Sequence, residues 1–271
     1  MPDQLDTVLP ATETLLRHTT NGLPSYRFRL LGKCAGLKHA VFTRLGGVSS
    51  APFASLNVSY DTKDEASKVR ENLRRVSAAL ASPSLLYARQ VHGSTIVALH
   101  ERPPVDPERS YPLVGVDGFI SSVPGLAMMI KVADCQAVLL FDRRRQVAAA
   151  VHAGWRGSAQ NLPAKAVRVM TGEFGCRSTD IVAGISPSLG PCCAEFRNWC
   201  TELPESFLRY QVRPTYFDFW AVSRAQLMET GIPGENIEIA GLCTRCHPEV
   251  FYSYRGEGRT GRFAVTIGLE A

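Results

Sequence analysis

LAMMIKVADCQAVLLFDRRRQVAAAVHAGWRG, residues 126 to 157, decides how this chain folds. Three apolar runs, Leu126 to Val132, Ala137 to Phe141 and Val147 to Val151, are separated by Asp134-Cys135 and by the basic triplet Arg143-Arg144-Arg145. Each run is five to seven residues long and apolar apart from Lys131. That length and continuity describe buried strands, because a helix of the same composition would run longer before its polar breaks. A fourth run, Asp117 to Ile120, precedes them behind Pro-Gly punctuation. The last strand leads into His152-Ala153-Gly154-Trp155-Arg156-Gly157 and then a helix, Leu162 to Met170, with Pro163 tolerable only in its first turn. Strand, glycine loop, helix is a way to offer backbone N–H groups to an anion.

Working outward, Tyr26 to Thr43 alternates as a strand and ends in Thr43-Arg44-Leu45-Gly46-Gly47, where glycine lets a backbone approach a ligand. Residues 64 to 81 place Val69, Leu73, Val76 and Leu80 at helical spacing behind an acidic start, which predicts an amphipathic helix. Further strands are expected at Ile181 to Ile185, Ile237 to Leu242 and Phe263 to Ile267, with a helix near 219 to 230. Residues 1 to 22 read as a loose N-terminal arm, and 23 to 271 as a single catalytic domain, since no repeat or linker divides them.

The composition bounds the function. At 271 residues, with 45% hydrophobic and 20% charged side chains, the chain can bury a sizeable core without disulfide staples. Its net charge of +5 is scattered, which argues against nucleic acid while leaving an anionic small substrate compatible. No stretch has the apolar length of a membrane span, and MPDQLDTVLPATETLLRHTT lacks the pattern of an export signal, so the expectation is a cytoplasmic protein with no membrane partner. In that setting eight cysteines are thiols or metal ligands rather than a disulfide framework. Cys243-Thr244-Arg245-Cys246-His247 has the C-x-x-C-H spacing of a haem attachment site or of half a zinc site. Such haem attachment follows export, so haem is not expected.

Two of the six histidines share a grammar: Gln90-Val91-His92-Gly93 and Val151-His152-Ala153-Gly154 each set an imidazole at a strand end beside glycine, as Cys135 sits between two apolar runs. His92, Cys135 and His152 would make a Cys-His-His zinc site with its fourth position open. The intervals of 42 and 16 residues form no local motif, so three separately packed residues is the competing reading. A third reading makes Cys135 a nucleophile and His152 its general base, with no metal. Arg44, Arg156, Arg255, Arg259 and Arg262 stand in glycine-rich contexts that suit phosphate or carboxylate. Cys192-Cys193 reads as packing beneath a turn.

FTRLGGVSSAPFASLN, QVHGSTIV, VDGFISS, VADCQAVLL, AAVHAGWRG, GPCCAEF, GLCTRC and SYRGEGRTGR occur in the order of a known family. The chain resembles, from about Arg27 to Leu269, the multicopper polyphenol oxidoreductase or laccase-like family, now described as bacterial purine nucleoside phosphorylases and also named peptidoglycan editing factors. The resemblance implies a four-layer α/β/β/α fold of mixed sheets in the α+β class, and zinc on His92, Cys135 and His152. It implies phosphorolysis of adenosine, inosine, guanosine and methylthioadenosine, and hydrolytic deamination of adenosine. It also makes Cys243 and Cys246 structural and His247 incidental. A copper oxidase fits poorly, since six histidines furnish few copper centres. The chain departs from the pattern at Ala194, where relatives carry an aromatic, which puts purine stacking at that position in doubt.

The expected partners are therefore purine nucleosides and phosphate. Phosphorolysis needs cationic clamps, for which Arg44 and the Gly154 to Gly157 loop with Arg156 are candidates and Asn57 a weaker one. Deamination needs activated water, with Asp134 as proton shuttle or as a partner orienting a ligand. The runner-up is a cysteine hydrolase of peptidoglycan precursors using Cys135 and His152. A non-enzymatic metal- or nucleotide-binding protein is the third.

Overall fold

The computed structural model describes residues 10–82, 84–103 and 111–271. Strands β1 (Leu15–Thr20), β2 (Leu23–Phe28), β3 (Leu37–Phe42), β4 (Ser84–Leu86), β5 (Ile96–Leu99), β6 (Gly118–Ser121), β7 (Leu126–Val132), β8 (Gln136–Asp142), β9 (Val147–Ala153), β10 (Ile181–Ile185), β11 (Ile237–Ile239) and β12 (Phe263–Leu269) build two six-stranded sheets. The first sheet has the order β1-β2-β3-β12-β7-β4 and the second β11-β10-β8-β9-β6-β5. Both are mixed: antiparallel pairs dominate, and parallel pairs, β4 on β7, β5 on β6 and β10 on β11, lie at the edges.

Period-two alternation explains the layering. In β8, Ala137, Leu139 and Phe141 face the space between the sheets, while Val138 and Leu140 face helices α3 (Leu162–Phe174) and α4 (Phe219–Met228). In β7, Met128, Ile130 and Val132 face the other sheet, while Ala127 and Met129 pack on α1 (Ala66–Ala79) through Val69, Leu73 and Val76. The result is helix, sheet, sheet, helix: the α/β/β/α arrangement of the α+β class. Strands buried on both faces have no need of polar alternation, which is why their sequences are continuous apolar runs. The Arg143-Arg144-Arg145 triplet is the exposed β8–β9 turn, held by Arg144 and Arg145 N–H donating to Asp142 Oδ1 at 2.8 and 2.9 Å.

Three expectations change. Residues 15 to 20, read as part of a loose arm, form β1 against β2, and Leu15 is fully buried in the inter-sheet core. Residues 1–9 of that arm lie outside the described residues. Tyr26 to Thr43 is two strands, broken by a 3-10 turn at Leu31–Lys33 and by Gly36 at φ 73°. The two pair with each other, Tyr26 opposite Val41, so alternation continues on both sides of the turn and merged them into one. Gly154 to Gly157 is less a loop than an entry, since α2 (Trp155–Ala159) begins immediately after Gly154. Among the described residues no helix is long and apolar enough to cross a membrane.

One crossing positions the site. β7 belongs to the first sheet and β8 to the second, so the chain changes sheets at Ala133-Asp134-Cys135. Asp134 makes that corner at φ 86°, a conformation that costs a non-glycine residue free energy unless its surroundings hold it. Its carboxylate accepts from Thr244 Oγ1 and Ser253 Oγ, both at 2.7 Å, and from Arg255 N at 2.6 Å.

Candidate metal centre and its cleft

Cys135 stands at the corner just described, His152 near the end of β9, and His92 on the turn after residues 88–90. β8 and β9 pair antiparallel with Ala137 opposite His152, which brings Cys135 and His152 to the same end of the second sheet. His92 Nε2 lies 3.8 Å from Cys135 Sγ, and the ligand atoms of all three residues fall within 4.8 Å of one another. A tetrahedral zinc with Zn–S of about 2.3 Å and Zn–N of about 2.0–2.1 Å separates sulfur from nitrogen by roughly 3.5 Å, so this spacing fits one ion. Gly154 leaves the room: a Cβ there would sit 2.9 Å from Cys135 Sγ and 3.1 Å from His92 Cδ2.

Asp117 organises the cluster. Fully buried, it accepts from the backbone N–H groups of Val91, His92 and Gly93 at 3.2, 3.0 and 2.8 Å, and from His152 Nδ1 at 2.8 Å. The first three bonds hold His92 at φ 58°, while the fourth fixes the His152 tautomer and turns its Nε2 toward Cys135. Burial by itself would raise the Asp117 pKa, but His152 and the amide donors outweigh it and hold the carboxyl low. Burial would likewise push up the Cys135 thiol, yet the His152 charge and hydrogen bonds from both histidines bring it down to about 6. For His152, burial is outweighed by Cys135 and Asp117, and its pKa rises to about 9. The cluster therefore keeps its sulfur as thiolate near neutral pH, as a metal ligand or a nucleophile requires.

These residues form the floor of a cleft of about 580 Å³. Trp155, Phe196, Phe219 and Tyr254 line it with aromatic rings, with Ala194 among them, and arginines lie against those rings: Arg156 is 4.3 Å from the Trp155 centroid, Arg255 5.7 Å from that of Phe196 and Arg262 5.6 Å from that of Tyr254. Asp61 and Lys131, with Gln90 and Ser59, add to the charged and polar lining. Lys131 is the least expected. It is 5% exposed, and its Nζ lies 4.0 Å from the Tyr111 ring centroid. Burial, only partly offset by Asp61, lowers its pKa to about 7. The buried Gln136 Nε2 has no protein partner among the described residues, although Gln136 Oε1 accepts from Ser223 Oγ.

Of the residues singled out from the sequence, His92, Cys135, His152, Gly154, Arg156 and Asp134 line this cleft. Arg44 and Asn57 do not. The Arg44 guanidinium donates to the carbonyls of Ala54 and Pro248, pairs with Glu257 at 3.0 Å and stacks 4.4 Å from the Tyr252 ring centroid, so it holds loops together instead of clamping an anion. Asn57, fully buried, receives Arg262 N–H on Oδ1 at 2.9 Å and donates to Thr62 Oγ1 and Asp64 Oδ2. It positions Arg262, which does reach the cleft. The three bonds of Asp134 make it a brace of the corner, and the carboxylate that orients a ligand is Asp117. An Asp opening the run 117–120 was the available signal for Asp117, whereas a lysine inside β7 gave no hint that Lys131 faces a cavity.

The family described as multi-copper polyphenol oxidoreductase laccase matches residues 38–270. A Bacteroides thetaiotaomicron purine nucleoside phosphorylase is 30% identical over 254 residues, covering 89% of this chain and 94% of that one. One from Deinococcus radiodurans is 34% identical over 263 residues, covering 93% and 95%. Among solved structures, the hypothetical protein YfiH of Bacillus licheniformis superposes with a TM-score of 0.83 at 26% identity, covering 96% of this chain and 100% of that one.

Proposed function

The chain belongs to the multi-copper polyphenol oxidoreductase laccase family, and from that membership and its cleft we propose that it is a cytoplasmic, zinc-dependent purine nucleoside phosphorylase that also deaminates adenosine. The observation that carries this reading is the convergence of His92, Cys135 and His152 in a cleft lined by both aromatic rings and cationic side chains. His92, Cys135 and His152 would hold the ion. When bound, zinc supplies Lewis-acid chemistry on the cleft side of the cluster.

The protein's own groups provide the rest. A purine fits against Phe196, Trp155 and Phe219; Phe196 and Phe219 lie 5.1 Å apart by centroid and restore the aromatic surface that Ala194 lacks. Gln136 Nε2 offers a donor to a ring nitrogen or carbonyl of the base. Phosphate binds among Lys131, Arg156, Arg255 and Arg262, with Asn57 holding Arg262 in place. In phosphorolysis a phosphate oxygen forms a bond to C1′ as the C1′–N9 bond breaks, its electron pair leaving with the purine, which takes up a proton. Holding nucleophile and nucleoside in one cleft makes that displacement intramolecular in effect. The test is to assay adenosine with and without phosphate. Adenine and ribose 1-phosphate should appear in phosphate-dependent fashion and stop on chelation; failure to convert any purine nucleoside would end this reading.

The arrangement of Cys135, His152 and Asp117 also favours a second reading, because a low-pKa thiolate beside an imidazole oriented by a buried carboxylate is the equipment of a cysteine hydrolase acting on peptidoglycan precursors. Activity that survives chelation but not thiol alkylation would select it.

A further inference from the structure

A second donor cluster lies outside the catalytic floor. Cys192 and Cys193, adjacent in the loop after β10, meet Cys243 and Cys246, the residue before the 3-10 turn Thr244–Cys246 and its last residue. The four Sγ atoms all lie within 4.8 Å of one another, with Cys246 Sγ 3.7 Å from Cys192 Sγ and 3.6 Å from Cys193 Sγ. Four thiolates around a tetrahedral zinc at about 2.3 Å are separated by roughly 3.8 Å along each edge. From this geometry we infer that Cys192, Cys193, Cys243 and Cys246 bind a second, structural zinc, fully coordinated by protein.

Three features support a closed ion site over other uses of the sulfurs. Cys246 is nearly equidistant from two thiols, both far beyond the 2.03–2.05 Å of a disulfide bond. A bridge from Cys246 would have to choose between them, whereas one ion takes all four sulfurs at these separations. An iron–sulfur cluster spreads its four thiolates over separate irons, farther apart than one shared centre allows. Gly190 N–H donates to Cys243 Sγ at 3.3 Å, a bond suited to a ligating sulfur, and the approach requires glycine: a Cβ at residue 190 would lie 3.1 Å from Cys243 Cβ and 2.8 Å from Trp220 Cη2. His247 stays outside, its Nδ1–H donating to the Cys243 carbonyl at 2.9 Å. Cys192 and Cys246 are exposed, which gives the ion an entry path and removes the reading of Cys192-Cys193 as packing beneath a turn.

The ion would clasp two loops that build the cleft. Ala194 and Phe196, which line the cleft, follow shortly after Cys193. Glu195 O accepts from Arg255 Nη1 at 2.7 Å, and Thr244, inside the C-x-x-C turn, holds the Asp134 corner beside Cys135. Loss of the clasp should therefore loosen nucleoside binding more than it slows turnover.

Elemental analysis of protein purified under reducing conditions should find two zinc per chain. Cys135→Ala should retain one, Cys246→Ser should retain one, and the double variant none. Cys246→Ser should raise the nucleoside KM several-fold with kcat within about threefold and lower Tm by several degrees. A mercurial titration of the unmodified protein, followed by a zinc dye, should release zinc in two steps, which tests the site even if Cys246→Ser fails to fold. One zinc per chain with four freely titrating thiols, a chain lighter by two hydrogens, or unchanged zinc in Cys246→Ser would overturn the proposal. Failure of the cleft site alone would show instead as zinc content unaffected by Cys135→Ala.

Discussion

The two sulfur-bearing clusters contrast in construction. His92, Cys135 and His152 come from strand ends in distant parts of the chain, stand on a fully buried carboxylate and face a cleft. Cys192, Cys193, Cys243 and Cys246 come from two loops, two of them exposed, with the Gly190 amide donating to Cys243 Sγ. Three ligands on a rigid floor leave a coordination position for chemistry, whereas four thiolates close the sphere. Damage to the first should register in rate and damage to the second in stability.

The largest effect that would break this contrast concerns Cys135. Replacing it with Ala removes a ligand, and losing several kcal/mol of charge stabilisation lowers phosphorolysis by about 10³-fold at 1.36 kcal/mol per factor of ten. Steady-state kinetics beside calorimetric Tm will check whether rate falls while the fold persists. Next, Asp117→Asn keeps the shape but weakens the hold on His152 and should cost about 10–100-fold in zinc affinity, measured by competition with a chelating dye.

A smaller effect should come from Lys131 and is set by pH. Its folded pKa of about 7 lies below the ordinary 10.5, so it is a cation below about pH 7 and loses charge above. Phosphate KM should therefore rise about tenfold between pH 6 and 8.5 in the parent beyond any change in Lys131→Met, since one lost cation is worth about 1.4 kcal/mol of a charge-assisted contact. Because the folded state binds this proton less readily than the unfolded chain, the same group removes stability as pH falls from 10.5 towards 7, with no further loss below. Equal pH dependence in both proteins would exclude Lys131 from the phosphate site. Smallest in rate is Arg44→Ala: Tm should drop as the contacts to Pro248 and Glu257 are lost, with phosphate KM within about twofold, whereas Arg262→Ala should raise that KM about tenfold. A reversed pair of results would return Arg44 to the anion site.

Much of the architecture was legible because it follows from local rules. Leu126 to Val132, Ala137 to Phe141 and Val147 to Val151 could only be buried strands, and the spacing of Val69, Leu73 and Val76 required one apolar helix face. The strand that buries Leu15 was missed although its signal is local: Asn21-Gly22, both at positive φ, is a two-residue hairpin turn, and β1 pairs across it with β2. Within the site, His92, Cys135 and His152 stood out by residue type and glycine context, while Asp117 and Lys131 were hidden by ordinary-looking runs. Arg44 misled for the converse reason: glycine neighbours mark close approach, but not whether a ligand or the protein's own carbonyls do the approaching.

By itself the amino-acid sequence determined most of the strands and helices and which donors are chemically fit to hold a metal. These are properties of single residues and short periodicities. Only the tertiary structure decided which donors meet: that the chain changes sheets at Asp134, that Cys192-Cys193 closes on the Cys243 turn, and that Asn57 positions Arg262 while Arg44 faces away from the cleft. Such meetings depend on how distant strands pack and cross, and no local spacing encodes a distance through space.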